Sequence, residues 1–182
     1  KTAGSGSFGC RNRFEKTGNY AVMVNLGGIK TGDILTKITE NTYSGNKVVN
    51  GICLQGTVTC DLKIPEGTYV SNDLWVNEGV ILELEAGTVL LNNSGIRYYV
   101  YGELKLPGTE EKPIILTTLG DEEHGQEISA TKVSVWDGVY VYNGGEMKAE
   151  YTKFSRLEGT YCSALGYSYF GIFVQGRAEL SN

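Results

Sequence analysis

The stretch Val100-Tyr-Gly102-Glu-Leu104-Lys-Leu106 places a glycine two residues after an apolar residue and then alternates apolar with polar side chains. The same pattern occurs at 54–60 and 174–180, and it recurs with one extra residue at the glycine step at 76–82 and 141–149. The five copies begin 22, 24, 41 and 33 residues apart. A period of about 20 to 25 residues, lengthened at some steps by insertions, predicts a solenoid of stacked coils. Each copy is interpreted as a strand, a glycine corner and a second alternating strand.

The composition favours strands over helices. Val, Ile, Thr and Tyr, which suit the pleated surface of a sheet, dominate the regular stretches, and 12 of the 182 residues are tyrosine. A helical period cannot be followed over more than about ten residues. We therefore predict an all-β fold with an N-terminal leader and cap region at 1–48 and a solenoid at 49–182 that carries two inserted loops.

Charge and hydropathy exclude two classes of partner. The net charge is −5 with a pI near 5.0, and no stripe of Lys and Arg is present, which argues against nucleic-acid binding. No apolar run approaches the roughly 18 residues of a membrane span. The chain begins at Lys1 without a signal-peptide pattern and is interpreted as a trimmed product. Its strand-rich, tyrosine-rich character favours a secreted or cell-surface protein.

The four cysteines leave the disulfide pairing open. They contain no CxxC pair, which argues against a zinc knuckle, and they permit three pairings. In the predicted register Cys60 occupies an inward-facing position, where it serves as a small buried hydrophobe. The four are Cys10, Cys53, Cys60 and Cys162.

Residues 68–118 and the segment that follows contain, in order, the motifs Leu74-Trp-Val76, Glu85-Ala-Gly87-Thr88-Val89, Gly108-Thr109, Pro113-Ile114 and Trp136-Asp-Gly138-Val139. In these motifs the chain resembles the right-handed parallel β-helix proteins of the pectin-lyase-like superfamily. The resemblance implies a right-handed parallel β-helix solenoid. It is less specific for function, since that superfamily includes lyases, hydrolases, adhesins and structural filaments.

Enzymes of that group use acids on neighbouring coils, either to hold calcium or as a catalytic pair. Glu103 and Glu179 share one motif position, but that position faces outward, so a structural role is favoured and no catalytic residue is assigned. Asp121, Glu122 and Glu123 form a dense acidic cluster and are a weak calcium candidate. The cluster lacks an ordered calcium-loop pattern, and a solvated loop is the favoured interpretation.

Four tyrosines are the candidate ligand-binding residues. Tyr99 and Tyr101 alternate with one inward-facing valine, and Tyr140 and Tyr142 alternate with another, so all four are expected to face outward. Stacked coils lie roughly 4.8 Å apart, and we expect the rings to form a flat patch that packs on the apolar faces of sugars. The alternative is that they are ordinary strand formers beneath the two loops.

Three functions follow in order of preference. The first is a non-catalytic surface β-helix that binds polysaccharide or mediates adhesion, with no acid pair within catalytic reach. The second is a structural subunit that self-assembles end to end as a homo-oligomer, because the last motif copy is followed by no obvious polar cap. The third is a polysaccharide lyase or glycoside hydrolase.

Overall fold

A computed structural model of the protein describes residues 11–16, 20–30, 33–45, 51–121, 123–124, 134–162 and 168–182. These residues contain one short helix, α1 (Asp33–Thr39), one 3₁₀ turn (Leu26–Gly28), and many short strands. The strands are β1 (Arg13–Glu15), β2 (Val22–Asn25), β3 (Thr42–Ser44), β4 (Ile52–Val58), β5 (Leu62–Ile64), β6 (Thr68–Val76), β7 (Ile81–Leu84), β8 (Val89–Asn92), β9 (Arg97–Val100), β10 (Glu103–Pro107), β11 (Ile114–Thr118), β12 (Gly138–Val141), β13 (Glu146–Glu150), β14 (Thr152–Phe154), β15 (Thr160–Cys162), β16 (Ser168–Phe170), β17 (Ile172–Val174) and β18 (Arg177–Ser181). The predicted all-β class is confirmed.

Two parallel sheets contain most of these strands. The five-stranded sheet has the order β18-β13-β10-β7-β5. The nine-stranded sheet follows the path β14-β11-β8-β6-β9-β12-β17, with β4 beside β6 and β2 beside β4. It curls at β6, because the first half of that strand pairs with β8 and its second half pairs with β9.

From β7 onward the chain returns to the same place in the sheets after three strands, or after five where β15 and β16 are inserted. β7, β8 and β9 pair respectively with β10, β11 and β12, and these pair in turn with β13, β14 and β17. We call each such set of three strands a coil. This order of pairing is consistent with the predicted parallel solenoid, and it explains the sequence period.

Alternating side chains build the core between the sheets. Leu82, Leu104 and Met147 lie in register on adjacent strands, and each is at most 2% exposed. Burying one such side chain contributes about 1.5–3 kcal/mol relative to leaving it in water. On the curled sheet a second buried row is polar, with Asn92 in register between Ser71 and Thr118.

The motif glycines form the corner between the two sheets. A Cβ atom on Gly102 would overlap the backbone carbonyl oxygen of Asn77 one coil earlier, and one on Gly145 would overlap that of Val100. These corners, like the one at Gly176, therefore stack too closely for any side chain, which explains the glycine there. Gly79 differs, since an added Cβ would meet nothing within 4 Å, and its φ of +72° is what favours glycine.

The first motif copy, at 54–60, was assigned to the wrong place in the coil. Val58 pairs with Val76, whereas Leu54 pairs with Ser71. Strand β4 runs straight through Gly56, where the register shifts. Gly56 has φ +95° and faces the side chain of residue 25, so it is a bulge in a strand and not a corner.

The two described thiols are free. The predicted inward position of Cys60 is wrong for the same reason: the inward position opposite Leu82 is occupied by Leu62. Cys60 follows the end of β4 and is half-buried. Cys53 lies buried in β4, and burial raises the pKa of its thiol to about 11. Cys10 and the side chain of Cys162 lie outside the described part of the structure, so the pairing of these two stays open.

Two further segments bear on the predicted organisation. β2, within the predicted cap region, pairs with β4 and so belongs to the curled sheet. The second of the two inserted loops, predicted at 159–171, contains the antiparallel pair β15–β16, which leads into β17.

Candidate binding surface

One column of outward side chains on the curled sheet is aromatic on four successive strands. Trp75, Tyr99, Tyr140 and Phe173 are Cα partners in register on β6, β9, β12 and β17. Each directly precedes the valine of its coil. All four are half-buried, and their rings contact one another in the pairs Trp75–Tyr99 and Tyr140–Phe173.

A second, shorter column lies on the other side of the valines. Tyr101 and Tyr142 directly follow Val100 and Val141, and their rings stack with centroids 4.1 Å apart and planes 12° apart. Tyr142 also contacts Tyr140, with ring centroids 4.3 Å apart. Val100 and Val141 are fully buried, so the predicted outward orientation of all four tyrosines is confirmed. We call the six side chains of the two columns the aromatic strip.

The rings of the aromatic strip do not lie side by side in one plane, so the prediction of a flat patch is wrong. Trp75 and Tyr99 have centroids 5.1 Å apart and planes only 2° apart. Two coplanar rings would interpenetrate at that distance, so the planes must be offset and stacked like steps. The reason is the coil spacing of roughly 4.8 Å, which is narrower than an aromatic ring with its hydrogens. The strip therefore presents ring edges, phenol hydroxyls and only part of each face.

A charged group borders the strip. The backbone N–H of Arg97 donates to Asp73 at 2.7 Å, and its guanidinium donates to the Asp137 carboxylate at 2.9 Å. The same guanidinium lies 5.7 Å from the centroid of the Tyr99 ring, within cation–π range. This border supplies fixed hydrogen-bonding groups beside the aromatic steps.

The phenol of Tyr142 is held in its neutral form. Burial, followed by a hydrogen bond with Tyr101, raises the pKa of Tyr142 to about 12. Near neutral pH its hydroxyl therefore both donates and accepts hydrogen bonds.

Asp121 and Glu123, two members of the predicted acidic calcium cluster, make separate contacts. The Asp121 carboxylate accepts hydrogen bonds from Thr117 Oγ1 at 2.5 Å and from the backbone N–H of Glu123 at 2.9 Å and of His124 at 3.3 Å. Burial works to raise the pKa of Asp121, but these bonds and the charge of Arg156 outweigh it and lower the pKa. The carboxylate thus anchors the start of its loop.

The other members of the calcium candidate do not join Asp121 around a common point. Glu123 pairs with Lys153 at 3.4 Å and faces His124, whose side chain is only 19% exposed. Glu122 lies outside the described residues. Within the part of the chain that the structure describes, no three His, Cys, Asp or Glu side chains are placed to hold a metal ion.

A close pair of carboxylates lies on the outer face of the five-stranded sheet, contrary to the expectation that no acid pair would be within catalytic reach. Glu103 and Glu146 are in register on β10 and β13. Lys148 Nζ bridges them, at 2.8 Å from Glu103 and 3.2 Å from Glu146. The hydrogen bond from Lys148 lowers the pKa of Glu103, whereas a general acid needs a raised pKa. The arrangement is that of a structural ion pair.

Sequence reasoning missed two members of the strip, Trp75 and Phe173. The signal was available, because each immediately precedes the motif valine, as Tyr99 and Tyr140 do. The strip is therefore written in the sequence as an aromatic-Val pair on each of four coils.

Comparisons with protein-family models, with curated proteins and with solved structures find no significant match. Among the described residues, no helix combines the length and the apolarity that crossing a membrane requires.

Proposed function

We propose that the protein is a non-catalytic, secreted or cell-surface module that binds polysaccharide through the aromatic strip. The observation that carries this proposal is the outward column of four aromatic side chains in register, continued by Tyr101 and Tyr142. A large aromatic surface kept at the exterior of a sheet favours a binding role.

The proposal includes the fold that would present this surface, a right-handed parallel β-helix of the pectin-lyase-like kind. Support comes from the repeated return of the chain to the same parallel stack, from β7 to β10 to β13 and from β9 to β12 to β17. Parallel crossover connections are right-handed in about 98% of cases, which favours that hand.

The geometry suggests how a polymer would bind. Four strands at roughly 4.8 Å spacing give a strip about 14 Å long from Trp75 to Phe173, which suits a short run of sugar rings along the stack. Sugar C–H groups would rest on the exposed part of each step, while phenol hydroxyls and the Arg97–Asp137 pair would bind sugar hydroxyls.

The charge of the protein favours a neutral polymer over a polyuronate. The net charge is −5, and the border of the strip adds the carboxylates of Asp73 and Asp137 against the one guanidinium of Arg97. An acidic polysaccharide would be repelled by the whole chain at low salt.

Retention on insoluble cellulose, xylan, chitin and pectin tests the proposal. We expect retention on a neutral polymer, and we expect Tyr99→Ala/Tyr140→Ala to weaken it roughly tenfold, since an aromatic contact contributes about 0.5–1.5 kcal/mol. Lys105→Ala, on the outer face of the other sheet, is the matched control and should bind normally. Wild-type protein that none of the four polymers retains, or a double variant that binds fully, would contradict the proposal.

Exposed apolar side chains in the last described coil favour a second candidate, end-to-end assembly. Val174 in β17 is 40% exposed and Leu180 in β18 is 61% exposed. Sedimentation velocity over a range of protein concentrations tests assembly, with Leu180→Lys as the variant. Concentration-dependent growth that the variant abolishes would support a structural subunit, and a single monomeric species throughout would refute it.

A further inference from the structure

We propose that Tyr101 and Tyr142 are a preorganised pair for oxidative coupling, which joins their rings by a carbon–carbon bond and staples two neighbouring coils. The proposal concerns a covalent modification site and stands independently of polysaccharide binding. It rests on the position, contact and exposure of these two side chains.

The backbone fixes the pair directly opposite each other. Val100 and Val141 are Cα partners at the ends of β9 and β12, and the two tyrosines directly follow these strands. The Tyr142 N–H donates to the Val100 carbonyl at 2.9 Å, and the Tyr101 N–H donates to the Val76 carbonyl at 2.9 Å. The Cα atoms are thereby held at the spacing between adjacent coils.

The rings are in contact with their hydroxyls at the same end. Their centroids are 4.1 Å apart and their planes 12° apart, so facing carbons lie near the van der Waals distance of about 3.5–4.0 Å. The two phenols share a hydrogen bond, so their hydroxyl groups lie at the same end of the stacked pair, and the stacking brings together the ring carbons beside them. These ortho carbons are the positions at which phenoxyl radicals couple.

Exposure gives an oxidant access to the pair and gives the product room to form. Tyr101 is 38% exposed, which makes it one of the most exposed large apolar side chains among the described residues. Its ring can rotate out of the stack after oxidation, as the new bond between the two rings requires. Tyr98, which lies on β9 three residues before Tyr101, is buried inside the core and is not available for this reaction.

The reaction balances with hydrogen peroxide as the oxidant and a haem peroxidase as catalyst. Each phenol gives up one electron and one proton, and the two resulting radicals form one bond between their ortho carbons. The hydrogens on those carbons then move to the phenol oxygens as both rings regain aromaticity. Overall the protein loses two hydrogen atoms and one peroxide becomes two waters.

Treatment of the full chain with peroxidase and hydrogen peroxide tests the proposal. We expect blue dityrosine fluorescence in the monomeric fraction, a mass lower by two hydrogen atoms, and a linked peptide pair containing Tyr101 and Tyr142. The yield should not depend on protein concentration, because the partners lie in one chain.

Conservative variants assign the bond. Tyr101→Phe and Tyr142→Phe keep the stacked rings but remove one phenol each, and either should abolish the monomer fluorescence. Tyr140→Phe is the matched control, since Tyr140 also stacks on Tyr142, and it should couple as the wild type does. Circular dichroism of each variant verifies that the fold is intact. Coupling that persists in Tyr101→Phe, fluorescence confined to covalent dimers, or no monomer fluorescence from the wild type would overturn the proposal.

Discussion

Replacing Gly145 by alanine tests the stacking of the corners. Gly145 lies between β12 and β13, and an added Cβ would overlap the carbonyl oxygen of Val100 and lie 3.2 Å from that of Tyr142. Both obstacles are backbone atoms, so no side-chain rotation can relieve the overlap. The corner must move away from the preceding coil.

The magnitude follows from the hydrogen bonds that this movement would break. The Tyr142 N–H donates to Val100 at 2.9 Å, and the Glu146 N–H donates to Gly102 at 2.8 Å, on either side of the corner. Each bond is worth about 1 kcal/mol net, and more when a buried partner stays unsatisfied. We expect Gly145→Ala to lower the free energy of unfolding by about 3–5 kcal/mol. The melting temperature should fall by roughly 10 °C.

The preceding residue provides a matched control in the same turn. Gly144 has φ +88°, and nothing lies within 4 Å of an added Cβ. Gly144→Ala therefore meets only the backbone penalty of the left-handed region, about 1–2 kcal/mol. Urea unfolding followed by circular dichroism measures both variants. A Gly145→Ala protein that is as stable as Gly144→Ala would refute the stacked-corner explanation.

Three further predictions concern charged and phenolic groups. Because Lys148 lowers the pKa of Glu103, their ion pair stabilises the fold above the usual glutamate pKa and is lost as pH falls through the lowered value. Lys148→Met should therefore lower the melting temperature at pH 7 and have a smaller effect as the pH falls through the lowered pKa of Glu103, and an effect that does not shrink with pH would contradict this. Asp121→Asn should lower the free energy of unfolding by about 1–3 kcal/mol in urea titrations, because it weakens the charge-assisted hydrogen bonds that hold its loop. An unchanged urea midpoint would contradict the role of Asp121 as the anchor of that loop. Tyr101→Phe should lower the pKa of Tyr142 from about 12, because it removes a hydrogen bond that favours the neutral phenol. Ultraviolet absorption titration measures this pKa, and an unchanged value would exclude that bond.

Much of the fold was predictable because the pattern repeats. Side chains alternate across a strand, so the buried valines at 100 and 141 determined the outward orientation of Tyr99 and Tyr140 without knowledge of the sheet. The parallel pairing followed from the period, since each coil places equivalent residues side by side.

The first motif copy could not be placed from its local pattern. An apolar residue two positions before a glycine occurs both at a corner, as at Gly102, and at a bulge, as at Gly56. What separates them is the neighbour in space. Gly102 stacks on a backbone carbonyl of the preceding coil, whereas Gly56 faces the side chain of Asn25.

The orientation of the aromatic rings could not be predicted from the sequence pattern either. Parity determines the face on which a side chain lies, but ring orientation depends on the second side-chain torsion and on the neighbouring rings. The spacing argument alone should have excluded a flat patch, because rings one coil apart have no room to lie side by side.

The return of the chain to the same stack has a consequence for how the molecule comes apart. Each coil hydrogen-bonds to the coil before it and the coil after it, so the cohesion of the molecule is a series of nearest-neighbour interfaces. A defect in one coil weakens two interfaces and leaves the others intact. Under tension applied to its ends, such a chain is expected to peel one coil at a time, each release lengthening it by the residues of that coil.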